Sequence, residues 1–140
     1  MQDRLTYLLG RVAAAAGKTA NAKLADLGLD TRHYSALAVI AHADGPSQQT
    51  VAAVLGADRA TVVALVDGLQ RRGLVRRATN PLDRRAHALQ ATPAGRRLAK
   101  RAHQLMDQCE QDFLAGLQEH ERATLAATLR TLLRRGEPTA

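Results

Sequence analysis

The chain has no Trp, one Phe, two Tyr and a single Cys among its 140 residues. One thiol cannot form an internal disulfide, so the fold must stand on packing alone, and a reducing compartment is favoured. No uninterrupted apolar run approaches the ~18 residues that a membrane span requires. The start, Met1-Gln2-Asp3-Arg4, places an acid where a signal peptide carries positive charge, and no apolar stretch of the usual length follows. A cytoplasmic protein is expected. Enzymatic signatures are missing as well. There is no Gly-rich phosphate loop, no nucleophile elbow, and no convincing carboxylate pair, since Glu119 and Glu121 fall on opposite faces of a helix. No enzyme is expected, and no cofactor.

What is present suits one domain, or one domain with helical extensions. Apolar residues make up 46% and charged residues 24%, too apolar a mixture for a disordered chain. The charge is unevenly placed. Between Arg71 and Arg101 lie ten basic residues and one acid, Asp83, a net of +9; the remainder holds ten basic and twelve acidic residues, a net of −2. Seventeen of the 20 basic residues are Arg, whose fork matches phosphate and guanine edges better than Lys does. A GC-rich genome explains Arg over Lys but not the clustering. A basic block in an otherwise nearly neutral chain is the footprint of a polyanionic partner.

The apolar spacing divides the chain. Leu5, Leu8, Leu9, Val12, Ala16, Ala20, Leu24 and Leu27 recur at steps of three and four, predicting a helix over the first 27 residues that Gly28 ends. Asp30 or Thr31 caps a second helix bearing Tyr34, Leu37, Ala38 and Ile40, which stops at Asp44-Gly45-Pro46. Ser47 caps a short helix from Gln48 to Leu55, closed by Gly56; Asp58 caps another from Arg59 to Arg72, closed by Gly73. The period then nears two. Leu74 to Thr79 reads as a strand, Asn80 to Arg85 as a charged turn, and Ala86 to Ala91 as the returning strand. Thr92-Pro93-Ala94-Gly95 opens a helix of about 24 residues whose apolar face carries Leu98, Ala102, Leu105, Cys109, Phe113 and Leu117. A last helix bears Leu125, Ala126, Leu129, Leu132 and Leu133 before a polar tail from Gly136.

Two short helices, a turn and a hairpin with arginines at its tip follow the winged helix-turn-helix order. The expected fold class is α+β, mainly α. Residues 31–92 form the DNA-binding lobe, with a wing over 74–91; residues 1–30 and 93–136 form dimerisation helices, and 137–140 a tail. The flanking helices carry more apolar surface than so small a core can cover, so a homodimer is expected, with two-fold symmetry matching a palindromic operator in double-stranded DNA.

Val51-Ala52-Ala53-Val54-Leu55-Gly56, Thr61-Val62, Leu65-Val66-Asp67, Leu69, Arg72-Gly73-Leu74-Val75-Arg76-Arg77, Asp83-Arg84-Arg85, Leu89 and Thr92-Pro93-Ala94-Gly95 together resemble the MarR family of bacterial transcriptional regulators. The resemblance covers nearly the whole chain. It implies a homodimeric winged-helix repressor or activator whose DNA affinity is altered by small phenolic ligands, oxidants or metals; the expectation here is a sequence-specific repressor released by a small phenolic or other aromatic effector. A low-specificity architectural DNA-binding protein is the alternative, because the recognition helix is poor in base-reading groups.

The expected DNA contacts are Ser47 and Gln48 at the start of the first short helix, Arg59, Ala60, Thr61, Val63 and Ala64 on the second, and Arg71, Arg76, Arg84 and Arg85 beyond it. Thr61 can bond a phosphate or base edge, whereas Val63 offers only apolar contact, for example to a thymine methyl. Family members often carry a polar residue where Val63 stands, and Arg where Ala64 and Gly68 stand. Gly68 moreover costs roughly 1 kcal/mol of helix stability relative to Ala. Specificity is therefore expected to lean on Arg59, the wing and DNA shape. By resemblance, one of Arg84 and Arg85 touches DNA while the other pairs with an acid that braces the wing; Asp67 is the obvious acid, and a turn-capping role is the alternative for Asp83. The resemblance also places His33, Tyr34 and His42 near an effector pocket.

No His pair has i, i+4 spacing and no CxxC or HExxH occurs, so no metal site is expected, although His42, His103 and Glu110 are the set that a zinc-sensing relative would use. Cys109 falls on an apolar stripe, where a thiol behaves as a small unreactive hydrophobe. Cys109→Ser should accordingly leave DNA affinity after peroxide treatment equal to that of the parent chain. A difference between them in a binding titration would make Cys109 a redox sensor.

Overall fold

Local capping chemistry sets the helix boundaries in the computed structural model, which describes residues 2–80 and 83–136; of residues 80 and 83–86 only the backbone is described. Six helices and one hairpin follow in the order α1 (Leu5–Ala25), α2 (Thr31–His42), α3 (Gln48–Leu55), α4 (Arg59–Arg71), β1 (Val75–Asn80), β2 (Asp83–Ala91), α5 (Pro93–Phe113) and α6 (Glu119–Gly136). Asp30, Ser47, Asp58 and Thr92 each accept a hydrogen bond from the backbone N–H three residues on, satisfying a donor that the helix leaves open. The expected caps hold. α1 stops at Ala25, two residues short of the apolar pattern, and a turn carries the chain to Leu29. Gly56 closes α3 with φ +59°, a left-handed conformation that lets the chain turn directly into α4.

The core gathers Ala36, Leu37 and Ile40 of α2, Val51 of α3, and Val62, Leu65, Val66 and Leu69 of α4, with Leu74, Val75, Leu89 and Ala91 from the hairpin. Leu24 and Leu29 close it from the α1 side, and Ala99 and Ala102 from α5. α4 thus presents one apolar row inward and leaves Arg59, Ala60 and Ala64 exposed.

The two strands pair antiparallel, with Val75 opposite Ala91, Arg77 opposite Leu89 and Thr79 opposite His87. An irregularity after Thr79 brings Asn80 opposite Asp83, so β2 begins three residues earlier than the alternating pattern indicates. The predicted turn residues Pro81 and Leu82 lie outside the described residues, as does the 137–140 tail.

The hairpin is fixed at its base by Leu74. Its N–H donates to Leu69 O at 3.0 Å, and its carbonyl accepts from the Thr92 N–H at 3.0 Å. The Thr92 hydroxyl adds a bond to Gly73 O at 2.7 Å. Gly95 packs directly on that carbonyl; a Cβ at position 95 would collide with the Leu74 backbone oxygen. The glycine of the Thr-Pro-Ala-Gly segment is therefore a matter of space. Gly95→Ala should cost about 1–3 kcal/mol of stability, since backbone rather than a flexible side chain must yield. Denaturant unfolding would check this, and a variant as stable as the parent would refute the close approach.

Candidate nucleic-acid interface

α3, α4 and the hairpin carry the residues expected to meet DNA, and burial and hydrogen bonding divide those described into outward and inward groups. Ser47 is occupied by its cap: its Oγ accepts from Thr50 N–H at 3.0 Å and lies 2.9 Å from Thr50 Oγ1. The Gln48 side-chain nitrogen is enclosed, without a hydrogen-bond partner among the described residues. Gln49, which the sequence reading passed over, is exposed on the same turn. The signal was available in the helix period, because Gln49 lies away from the buried Val51.

On α4, Arg59, Ala60 and Ala64 are exposed, while Thr61 and Val63 are half-buried. Both polar groups of Thr61 face its cap: its N–H and hydroxyl donate to the two oxygens of Asp58 at 2.8 and 2.9 Å. These bonds hold the Asp58 carboxyl below the usual carboxylate pKa. Gly68 has a role that its helix propensity hides. A Cβ there would stand 3.2 Å from Nε2 of His33, so the missing side chain leaves the space where that ring rests against α4.

Strand alternation separates the two arginines of β1. Arg77 lies opposite the buried Leu89, on the core-facing side, and Arg76 lies on the other face and is exposed. Arg77 reaches back to α4, donating to Asp67 Oδ1 at 2.6 Å and to Gln70 Oε1. Asp67 and Gln70 sit three residues apart, on one side of α4. The expected partner of Asp67 is Arg84 or Arg85; the partner described is Arg77. The side chains of Arg84 and Arg85, expected to provide that partner, lie outside the described residues, as does that of Asp83. Arg71 is exposed on the last turn of α4, whereas Arg72 turns toward the α1–α2 connection.

A cavity of about 1020 Å³ opens between α1, α2, α5 and α6, lined mainly by apolar groups that include Met106, Cys109, Phe113 and Leu129. Tyr34 and His103 supply polar groups, with Tyr34 Oη 3.3 Å from His103 Nδ1. Burial, and then the Asp107 carboxylate, push the Tyr34 phenol above its ordinary pKa, so it remains a neutral hydrogen-bonding group. Of the three residues expected at an effector pocket, Tyr34 alone lines this cavity. His33 turns to Asp30, its Nδ1 2.9 Å from the carboxylate, and His42 is exposed at the end of α2. A helix turns 100° per residue, so the adjacent positions 33 and 34 cannot share a direction. No three His, Cys, Asp or Glu residues converge on a metal position among the described residues.

Asp30 behaves like Asp58. Burial raises its pKa, but hydrogen bonds from the His33 backbone and ring outweigh that effect and leave it lowered. A folded-state pKa below the unfolded value stabilises above the unfolded pKa, and that contribution is lost as pH falls through the folded one. Asp58→Asn keeps an oxygen acceptor without the titration. Its thermal stability should fall less steeply than the parent's between roughly pH 4 and pH 2. Parallel melting curves over that range would discount the cap's charge.

Comparison with known proteins places this geometry. Residues 27–86 match the MarR family. A protein of Thauera aromatica named as a transcriptional regulatory protein for the hcr operon is 39% identical over 106 residues, 76% of this chain and 64% of its own length. The match therefore spans somewhat under two thirds of that relative. A MarR-family transcriptional regulator from Rhodococcus sp. RHA1 superposes with a TM-score of 0.85 at 35% identity, covering 94% of each chain. CouR from Rhodococcus jostii RHA1, solved with p-coumaroyl-CoA bound, does so with a TM-score of 0.85 at 35% identity, over 99% of this chain and 96% of its own. A hairpin anchored to a capped, amphipathic α4, flanked by long apolar-faced helices, and this identity over nearly the full length of two solved relatives agree: the chain belongs to the MarR family.

Proposed function

We propose that the protein is a sequence-specific DNA-binding transcriptional regulator, a homodimeric repressor released by a small aromatic effector and working in the cytoplasm. The observation that carries this reading is the distribution of the basic block. Arg71 and Arg76 are exposed beside the outer face of α4, with no side-chain partner among the described residues, while the neighbouring Arg72 and Arg77 are tied by hydrogen bonds to other parts of the fold. Arg59, Ala60, Val63 and Ala64 would enter the major groove, Thr61 would back them, and the wing with Arg84 and Arg85 would reach the backbone or the neighbouring minor groove. Ser47 and Gln48 would bring the first turn of α3 to a phosphate through backbone N–H groups, since the Ser47 hydroxyl serves its cap and the Gln48 side-chain nitrogen is enclosed.

Residues 31–92 serve as the DNA-binding lobe in this reading, and 1–30 with 93–136 as the dimerisation helices. Leu5, Leu8, Leu9 and Val12 of α1 and Leu125, Leu129, Leu132 and Leu133 of α6 are exposed in the single chain, and α6 buries no residue at all. A second copy would cover this surface and set two recognition helices about one DNA turn apart. The cavity beside Tyr34 would take the effector. The p-coumaroyl-CoA bound by CouR makes an aromatic acyl compound the class to try first. Its effect would come from binding more tightly to the lobe spacing that cannot engage an operator.

Incubating the protein with sheared DNA from its own genome at near-physiological salt, then sequencing what is retained, tests the reading. A few enriched fragments sharing an inverted repeat are expected. Broad retention without a common motif would replace the operator model with architectural binding, which the small side chains at 60, 63 and 64 would then explain. No retention would remove DNA binding altogether.

A further inference from the structure

The connection between α1 and α2 receives the end of α4 through hydrogen bonds that no DNA contact requires. Arg72, immediately after α4, donates from Nη1 to Gly28 O at 2.5 Å and from Nη2 to Leu27 O at 3.3 Å. These carbonyls follow the last turn of α1, where a cation meets the negative end of the helix dipole. One turn earlier on α4, Gly68 makes room for the ring of His33. The same connection is pinned to the body of α1, because Asn21 Oδ1 accepts the Thr31 N–H at 2.8 Å. Thr31, Tyr34 and Ser35 line the large cavity, as does Ala20 of α1. Residues 27–35 therefore form part of the cavity wall and also the seat of the recognition helix.

We infer that Arg72 is a positioning residue that couples the α1 arm and the cavity to α4, and is not a phosphate contact. Its guanidinium fixes the angle at which α4 leaves the α1–α2 connection. Any displacement of Thr31 or Tyr34 by a bound molecule moves the carbonyls that Arg72 holds, and the recognition helix with them. The regulatory consequence rests on the proposed DNA-binding function, but the coupling itself is a property of the free protein.

Spin labels on Lys23→Cys of α1 and Ala60→Cys of α4, in a Cys109→Ser background, report the angle as a distance by pulsed electron paramagnetic resonance. Labelled chain is diluted into unlabelled chain so that only the intrachain pair is read. The parent should give one narrow distribution, Arg72→Ala a broader or displaced one, and Arg72→Lys, which keeps a donor, a partial return. Arg72 is itself exposed, so the core should survive its loss, and thermal melting checks that it does. An unchanged distribution in Arg72→Ala overturns the inference. A salt series on a fragment retained in the genomic selection adds a second readout. Arg72→Ala should weaken binding about tenfold with the parent's dependence on salt, whereas Arg76→Ala should flatten the slope of log affinity against log salt by about one. A flattening of that size in Arg72→Ala would make Arg72 a phosphate contact and sink the proposal. If the parent retains no DNA, the proposed function fails, and the distance measurement still decides the role of Arg72.

Discussion

The arrangement of recognition helix, wing and long C-terminal helix depends on the backbone of one residue. Leu74 donates its N–H to the end of α4, accepts at its carbonyl from Thr92, and lies against Gly95 with no room for a side chain between them. Three elements meet there within hydrogen-bonding distance. A rotation of any one relative to the others would break a buried backbone bond, which costs more than an average contact contributes. The buried side chain of Leu74 joins the same junction to the core. The wing is thus a short lever with a rigid base, and the Asp67–Arg77 ion pair adds a second attachment farther along it.

Most of the fold could be read from the residues because local signals agreed with the global ones. Asp30, Ser47, Asp58 and Thr92 cap where capping chemistry puts them, and the apolar row Val62, Leu65, Val66 and Leu69 turned inward as its spacing required. What the residues did not disclose was partnership across the chain. Arg72 and Arg77 sit in one basic run with Arg71 and Arg76, and composition alone cannot separate them. Arg77 was separable in principle, since strand alternation puts it on the side of Leu89. Arg72 was not, because its acceptors are backbone carbonyls, which every residue has.

The cavity was harder to foresee for a related reason. Tyr34 could be placed on α2, but a pocket is a space between helices, and neighbours such as His33 and Tyr34 diverge by a helical step. His33 instead matches the empty position at Gly68. Read as a propensity, that glycine is a weakness in the recognition helix; in the assembled fold it is the complement of an imidazole ring.

The division of α4 into two faces has a consequence for how such a protein diversifies. Its inner row and its links to Arg77, His33 and the α1–α2 connection hold the helix in place, whereas Ala60 and Ala64 stand in open solvent. Substitutions at those two positions touch none of the groups that support the fold. After gene duplication, one copy can explore new base contacts at 60 and 64 while retaining its stability, so the binding preference can drift well before the architecture does.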